Sequence, residues 1–392
     1  MWVILVWLCV AIPAGLLAYF SVEMLLGLRR RSPSGDRPHP ATWVAVIVPA
    51  HNEAQSIEQT VRALKLKVDR STAVVVVADN CSDATAAIAK EAGATVIERC
   101  DLSQVGKGFA LAHARDFLRS SPPDAVFVLD ADCSVERGNV EAFAAHAIAR
   151  EEPVQGVNVL TAANGAAPLV EISNFAMFVK NVVRARGLYR LGGGITLFGT
   201  GMAFPWPLFE RLPLATAETV EDLHLALVLA RQGIRVHFDE SLQVTSAAAS
   251  VSDSLGQRRR WEHGFLANSA RFGIPTLTRG IFTASRHLTA LGGHMLVPPL
   301  ALLFLLGAAC LVPATALALV TGERLPLATL LVSMASALGV TAVAWFREGR
   351  AIISGRSLLQ APLYVLWKIP VYLGFVRGRQ TEWNRTKRPN ET

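Results

Sequence analysis

A strongly apolar run, Ala125-Val126-Phe127-Val128-Leu129, ends abruptly in Asp130-Ala131-Asp132-Cys133-Ser134. A buried strand of this kind delivers its carboxyl end to the edge of a parallel sheet, where open α/β sheets bind ligands. Two carboxylates one residue apart are costly to desolvate there without a partner. A hard divalent cation shared with phosphate oxygens is the natural one, since Mg²⁺ takes one or two protein carboxylates and completes its shell with phosphate and water. Taken alone, an Asp-x-Asp pair is equally a solvated loop, so its weight depends on what the rest of the chain brings to the same edge.

From Trp43 onward the pattern is strand, loop, helix, repeated. Val44 to Val48 is apolar and β-branched and ends in Pro49-Ala50-His51-Asn52-Glu53; Ile57, Val61 and Leu64 follow at helical spacing. Val74 to Val77 ends in Ala78-Asp79-Asn80-Cys81-Ser82-Asp83, and a helix through Ala84 to Ala92 returns to Thr95-Val96-Ile97. A Gly106-Lys107-Gly108 loop and a helix to Leu118 precede the strand that ends at Asp130. This alternation predicts an α/β domain with a mostly parallel, Rossmann-like sheet. Three successive strands then carry polar or acidic residues to one edge.

The chain has 392 residues, 52% of them hydrophobic, a mean hydropathy of +0.36 and a formal charge of +7. The apolar excess sits in blocks at both ends. Trp2 to Leu28 holds one formal charge, Glu23, and is long enough to cross a hydrocarbon core of roughly 30 Å. Arg29-Arg30-Arg31 follow it, which the positive-inside rule places in the cytoplasm. A cleaved leader is the weaker reading, because no basic residue precedes the run and no small-x-small site follows it. Two further apolar segments, about His294 to Val320 and Leu325 to Phe346, flank Thr321-Gly322-Glu323-Arg324 as a helical hairpin.

Leu358 to Val376 is also apolar but is broken by Lys368-Ile369-Pro370, so an interfacial helix is expected, with Tyr364, Trp367, Lys368 and Tyr372 at headgroup depth. The expected organisation is an anchor over 1–28, a linker over 29–42, an α/β domain over 43–270, an interfacial segment over 271–293, a hairpin over 294–346, and an interfacial helix with a basic tail over 347–392. The basic flanks point to anionic lipid and acidic substrates and away from nucleic acid. The five cysteines lack metal-ligand spacing, so neither disulfides nor a zinc site is expected.

Several segments in order resemble the motifs of family 2 inverting glycosyltransferases, which have a GT-A fold. Val46-Ile47-Val48-Pro49-Ala50-His51-Asn52-Glu53 is similar to the opening VxVPAxNE strand, Ala78-Asp79-Asn80-Cys81-Ser82-Asp83 to the DDxSxD loop, and Gly106-Lys107-Gly108 with Ala110-Leu111 to GKxxAL. Asp130-Ala131-Asp132 matches DxD, Thr219-Val220-Glu221-Asp222 falls at the TED position, and Gln257-Arg258-Arg259-Arg260-Trp261 fits QxxRW. The second loop departs from the pattern by having Ala78 where the family has a first Asp.

The resemblance implies a nucleotide-sugar donor, UDP-linked, with Mg²⁺ or Mn²⁺ on Asp132 assisted by Asp130. Asp79 and Glu53 would contact the nucleotide. Lys107 would face its base or diphosphate, with Gly106 and Gly108 allowing close approach. Asp222, with Glu221 beside it, would be the catalytic base. Arg260 would stabilise the leaving phosphate, Gln257 and Trp261 would close over the acceptor, and Gly199 and Thr200 would line the floor. His51, His224 and His263 are read as structural or substrate-contacting. The implied partners are the donor, membrane lipids, and a lipid, lipid-linked or polysaccharide acceptor. The expected setting is a bacterial inner membrane with the α/β domain cytoplasmic. Processive polysaccharide synthesis with assembly partners is one alternative; a sugar-phosphate nucleotidyltransferase and a non-catalytic membrane scaffold are two from other classes. The sharpest geometric expectation is that Asp79, Asp130, Asp132 and Asp222 converge on one cleft beside the helix carrying Trp261.

Overall fold

The computed structural model describes residues 2–30, 43–161, 166–218, 220–247 and 251–377. The linker after Arg30, Thr219 and the basic tail therefore lie outside the described residues.

Eight strands form one sheet: β1 (Val44–Ala50), β2 (Ala73–Asp79), β3 (Thr95–Arg99), β4 (Ala125–Val128), β5 (Cys133–Arg137), β6 (Val154–Thr161), β7 (Met202–Pro205) and β8 (His237–Ala247). Their order is β3-β2-β1-β4-β7-β6-β8-β5. The first four are parallel throughout, as is β6 with β8. β7 runs antiparallel to both β4 and β6, and β5 antiparallel to β8. The sheet is thus mixed: the parallel half foreseen in the sequence is joined to a second half in which parallel and antiparallel pairings both occur.

Val44, Val46 and Val48 pack on one side of β1, and Ala45 and Ile47 on the other, into two separate apolar clusters. Burial on both faces is why these strands read as continuous apolar runs. Helices Ile57–Lys65, Thr85–Glu91 and Lys107–Leu118 cover the parallel half and return each strand to the same carboxyl edge.

Three helices are long and apolar enough to cross a membrane: Trp2–Gly27, Leu300–Thr321 and Leu325–Arg347. They are joined to the α/β domain by buried charges on one continuous helical stretch, which runs through a π-helical turn, Val179–Arg184, into Ala185–Gly192. Arg184 bonds Glu23 of the first apolar helix at 2.7 Å, and His294 Nδ1 lies 2.7 Å from the other Glu23 oxygen. Arg186 donates to Glu240 of β8 at 2.6 and 2.8 Å and to Glu348 at 2.7 and 3.0 Å. Gly187 has no room for a side chain, since a Cβ there would meet the Glu23 carbonyl oxygen at 1.9 Å.

The C-terminal described segment adds a contact that the sequence did not suggest. Lys368, expected at a membrane interface, is fully buried within the protein and pairs with Glu262 at 2.5 Å. Pro370 breaks the segment into the short helices Ala361–Trp367 and Ile369–Arg377, so it folds back onto the helix carrying Gln257 and Trp261. His263 Nε2 sits 2.8 Å from the Val371 carbonyl and reinforces that contact.

Glu23 is fully buried and its two oxygens are divided between Arg184 and His294. Removing one partner of such a cluster strands the rest in a dry environment. Glu23→Ala is expected to destabilise the detergent-solubilised protein by about 3 kcal/mol or more, read as a lowered Tm, with Glu23→Gln intermediate.

Candidate active site

One cavity of about 640 Å³ opens at the carboxyl edge of β1, β2 and β4. Its lining includes Glu53, Asp79, Lys107, Asp130, Asp132, Gly199, Thr200, Glu221, Asp222, Gln257, Arg260 and Trp261. The structure therefore brings together these twelve residues that the sequence nominated, from Glu53 to Trp261.

Asp130 and Asp132 follow β4 directly, in the turn to β5. The Asp130 backbone N–H donates to Thr200 Oγ1 at 3.1 Å, tying this turn to the glycine-containing floor. Thr200 is buried, and its carbonyl accepts from Gln155 Nε2 at 2.9 Å. Gln155 also bonds the Gly201 carbonyl and, through Oε1, the Phe198 N–H. This fully buried amide holds Phe198-Gly199-Thr200-Gly201 in shape, with Gly199 and Gly201 at φ of +83° and +67°. A Cβ on Gly199 would lie 3.4 Å from Asp222 Oδ2 and 3.6 Å from Lys107 Nζ, so the bare backbone separates a carboxylate from an ammonium.

Lys107 has a more specific placement than the base or diphosphate contact expected of it. Its ammonium bonds Asp130 Oδ1 and donates to the Gly199 carbonyl at 2.7 Å. Asp130, Glu221 and Asp222 all hold its charge in place, against a burial that opposes it. Gly108 also differs from expectation. A Cβ there would meet the Leu214 carbonyl oxygen at 2.4 Å, so this glycine serves chain packing, whereas Gly106, at φ +139°, borders the cavity.

Asp130, Asp132 and Cys133 bring one ligand atom each within 4.8 Å of one another. Burial pushes the Cys133 thiol well above its ordinary range, so it stays protonated and is a poor ligand for a hard cation. The two carboxylates fit such an ion. Asp132 is the more exposed, while Asp130 is committed in part to Lys107.

Asp79 is buried at the end of β2, and its Oδ1 is paired with Arg99 at 2.7 Å. Arg99, at the end of β3, is a residue that sequence reasoning missed, and it offsets the charge of the Asp79 carboxylate. Glu53 accepts from Ser56 at 2.8 Å on the same side. His51 Nδ1 contacts the Asp79 carbonyl at 2.7 Å and His263 the Val371 carbonyl, in keeping with structural roles.

Glu221 and Asp222 open the helix Glu221–Arg231. Asp222 Oδ1 accepts from the Leu223 N–H at 2.8 Å, which fixes the carboxyl group beside Gly199. Burial raises the pKa of Asp222, and it raises that of Glu221 to about 7, with the Asp222 charge adding to the effect. Arg260 lies within electrostatic reach of Glu221, Asp130 and Asp132. The run Arg258-Arg259-Arg260 is thereby divided: Arg258 is buried, Arg259 is exposed, and Arg260 faces the carboxylates.

With this geometry in view, the sequence was compared with known proteins. Residues 39–264, more than half of the chain, match the family described as "Glycosyltransferase like family 2". The chain belongs to glycosyltransferase family 2. Among solved structures, the mannosyltransferase PcManGT from Pyrobaculum calidifontis, in complex with GDP-Man and Mn²⁺, is similar over 92% of this chain and 99% of its own. The TM-score is 0.56 at 21% identity, a likeness of fold. Glucosyl-3-phosphoglycerate synthase from Mycobacterium tuberculosis, with Mg²⁺ and UDP, aligns with 57% of this chain and 78% of its own at 21% identity and a TM-score of 0.36. Curated proteins gave no match. The α/β domain is accordingly a GT-A glycosyltransferase domain.

The raised Glu221 has a consequence for this glycosyltransferase's stability. Between the ordinary carboxyl value of 4.5 and about 7, the folded chain holds a proton there that the unfolded chain has lost. Stability from this group is therefore lost as pH rises through that window. Thermal denaturation in a pH series is expected to show a downward slope there that Glu221→Gln flattens.

Proposed function

We propose that this enzyme moves a sugar, with inversion, from a nucleotide sugar to an acceptor presented at the membrane surface, with Asp222 as the base. The observation that supports this most is the shared cavity of Asp130, Asp132 and Asp222, with Arg260 and Trp261 on its wall.

In this reading the nucleotide lies toward Asp79 and Glu53 at the ends of β1 and β2. Asp132, assisted by Asp130, would hold Mg²⁺ or Mn²⁺, which would neutralise charge on the leaving diphosphate. Arg260 supplies a second positive charge on that side. Gly199 lets the sugar approach the backbone between Lys107 and Asp222. Asp222, held by the Leu223 N–H, accepts the acceptor hydroxyl's proton as that oxygen attacks from the face opposite the diphosphate. Its raised pKa makes it a better proton acceptor than an exposed aspartate. Trp261 offers an apolar face on which an acceptor sugar can stack.

Three apolar helices clamped to this domain favour a lipid or lipid-linked acceptor. Arg29 and Arg30 at the end of the first support a cytoplasmic setting for the domain by the charge rule, in a proposed topology of three spans. Single-sugar addition is favoured over processive synthesis, since so few spans provide little wall for a polymer channel.

The test is nucleotide release from full-length protein in detergent, with UDP-, GDP- and dTDP-sugars, Mg²⁺ or Mn²⁺ and membrane lipid extract. Metal-dependent turnover of one donor is expected, and Asp222→Asn should lower kcat by roughly 10²–10⁴-fold while metal–nucleotide binding persists. Undiminished turnover in that variant would assign the base elsewhere.

A further inference from the structure

The cavity extends past the residues used above to a second wall built by the π-helical turn Val179–Arg184. Such turns displace side chains from ordinary helical spacing and recur at functional sites. Here the turn directs two consecutive polar residues, Lys180 and Asn181, to the cavity lining. Met177, Leu160 and Phe265 border the cavity with them.

Both residues have unused bonding capacity. Asn181 is 1% exposed; its Nδ2 donates to the Asn158 carbonyl at 3.2 Å, but its Oδ1 is buried with no hydrogen-bond partner. Such an orphan acceptor ordinarily costs about 1–3 kcal/mol. Lys180 makes no hydrogen bond to any described residue. Its electrostatic neighbours are Asp222, Arg184 and Glu262, and burial lowers its pKa, as expected of a cation awaiting a counter-ion. The other cations of the cavity are differently engaged: Lys107 is bonded to Asp130 and the Gly199 carbonyl, and Arg260 faces Glu221, Asp130 and Asp132. Lys180 is thus a cation of the cavity whose electrostatic neighbours include Asp222 but neither Asp130 nor Asp132. Four residues further along the chain, Arg184 is locked to Glu23 of the first apolar helix, so this wall belongs to the membrane-facing side.

We infer that Lys180 and Asn181 form an acceptor subsite for a molecule carrying a phosphoryl group close to the hydroxyl that receives the sugar, with Lys180 on the phosphoryl oxygens and Asn181 Oδ1 accepting from a hydroxyl. The inference rests on the transferase reading and adds the acceptor's charge to it. A lipid phosphate headgroup and a soluble phosphomonoester present the same chemistry to these two side chains.

The experiment is calorimetric titration of the full-length protein in detergent, saturated with Mn²⁺ and UDP or GDP, with glycerol 1-phosphate, with glycerol, and with phosphatidic acid or phosphatidylcholine in mixed micelles. Wild type is expected to bind a phosphate-bearing probe and not its uncharged or zwitterionic counterpart. Lys180→Met should weaken that binding by about tenfold or more, and Lys180→Arg should largely restore it. Mn²⁺–nucleotide binding should stay within about twofold of wild type in both variants, since neither Asp130 nor Asp132 is among the electrostatic neighbours of Lys180. Binding of phosphatidic acid alone would identify a lipid headgroup; binding of glycerol 1-phosphate as well would show that the phosphomonoester suffices. Phosphate binding unaffected by Lys180→Met would overturn the inference. Loss of Mn²⁺–nucleotide binding in that variant would overturn it too, placing Lys180 on the donor side or in the scaffold. Absence of Mn²⁺–nucleotide binding in wild type would count instead against the transferase reading on which the inference rests.

Discussion

The ammonium of Lys107 is the contact on which the site depends. Three carboxylates, Asp130, Glu221 and Asp222, surround it in a cavity that Glu53, Asp79 and Asp132 also line. Their repulsion in a partly dry space would open the cleft if no cation were built in. Lys107 meets that need from the first turn of its helix, reaching Asp130 after β4 and the Gly199 carbonyl on the floor. It thereby joins the parallel half of the sheet to the antiparallel half, and its field reaches the helix that begins at Glu221. Glycine at 199 suits the same arrangement, since the floor turns there at a φ of +83° and presents its bare carbonyl to the ammonium.

A second set of buried charges sets the domain on its membrane helices. Arg184, Arg186 and Arg190 leave one helical stretch and bond Glu23, Glu240, Glu348 and the end of the first apolar helix. Because this stretch continues from the turn bearing Lys180 and Asn181, the site wall and the residues that grip the first apolar helix lie on one helical stretch. The Lys368–Glu262 pair does the same for the helix carrying Trp261. Such pairs cost desolvation, which the attraction between the charges offsets. They fix the cavity relative to the apolar helices, as the proposed membrane-presented acceptor requires.

The parallel half of the fold was legible because β1, β2 and β4 are buried on both faces and end in chemically conspicuous residues. Asp130-Ala131-Asp132 stood out as carboxylates directly after an apolar strand, and Asp222 through its place in an ordered set of motifs. The antiparallel half was not legible: β5 and β7 span only Cys133–Arg137 and Met202–Pro205, and their pairing is set by tertiary contacts. Gln155 and Arg99 were missed because a lone polar residue in or after a strand gives no signal until its partners are known. Lys180 did leave a trace, as an isolated lysine within the apolar run from Phe175 to Val183. The ion pair of Lys368 was not legible because a lysine in an apolar helix suits an interface as well as a buried pair; its partner, Glu262, lies 106 residues away.

The central claim is that Asp130 and Asp132 form a metal site completed by a nucleotide diphosphate in the cavity. Electron paramagnetic resonance of Mn²⁺ titrated into the full-length protein, with and without UDP or GDP, tests it most directly. The account predicts weak Mn²⁺ binding alone, strengthened by about tenfold or more when a nucleoside diphosphate is present, and lost in Asp132→Asn. Mn²⁺ affinity indifferent both to nucleotide and to Asp132→Asn would contradict it.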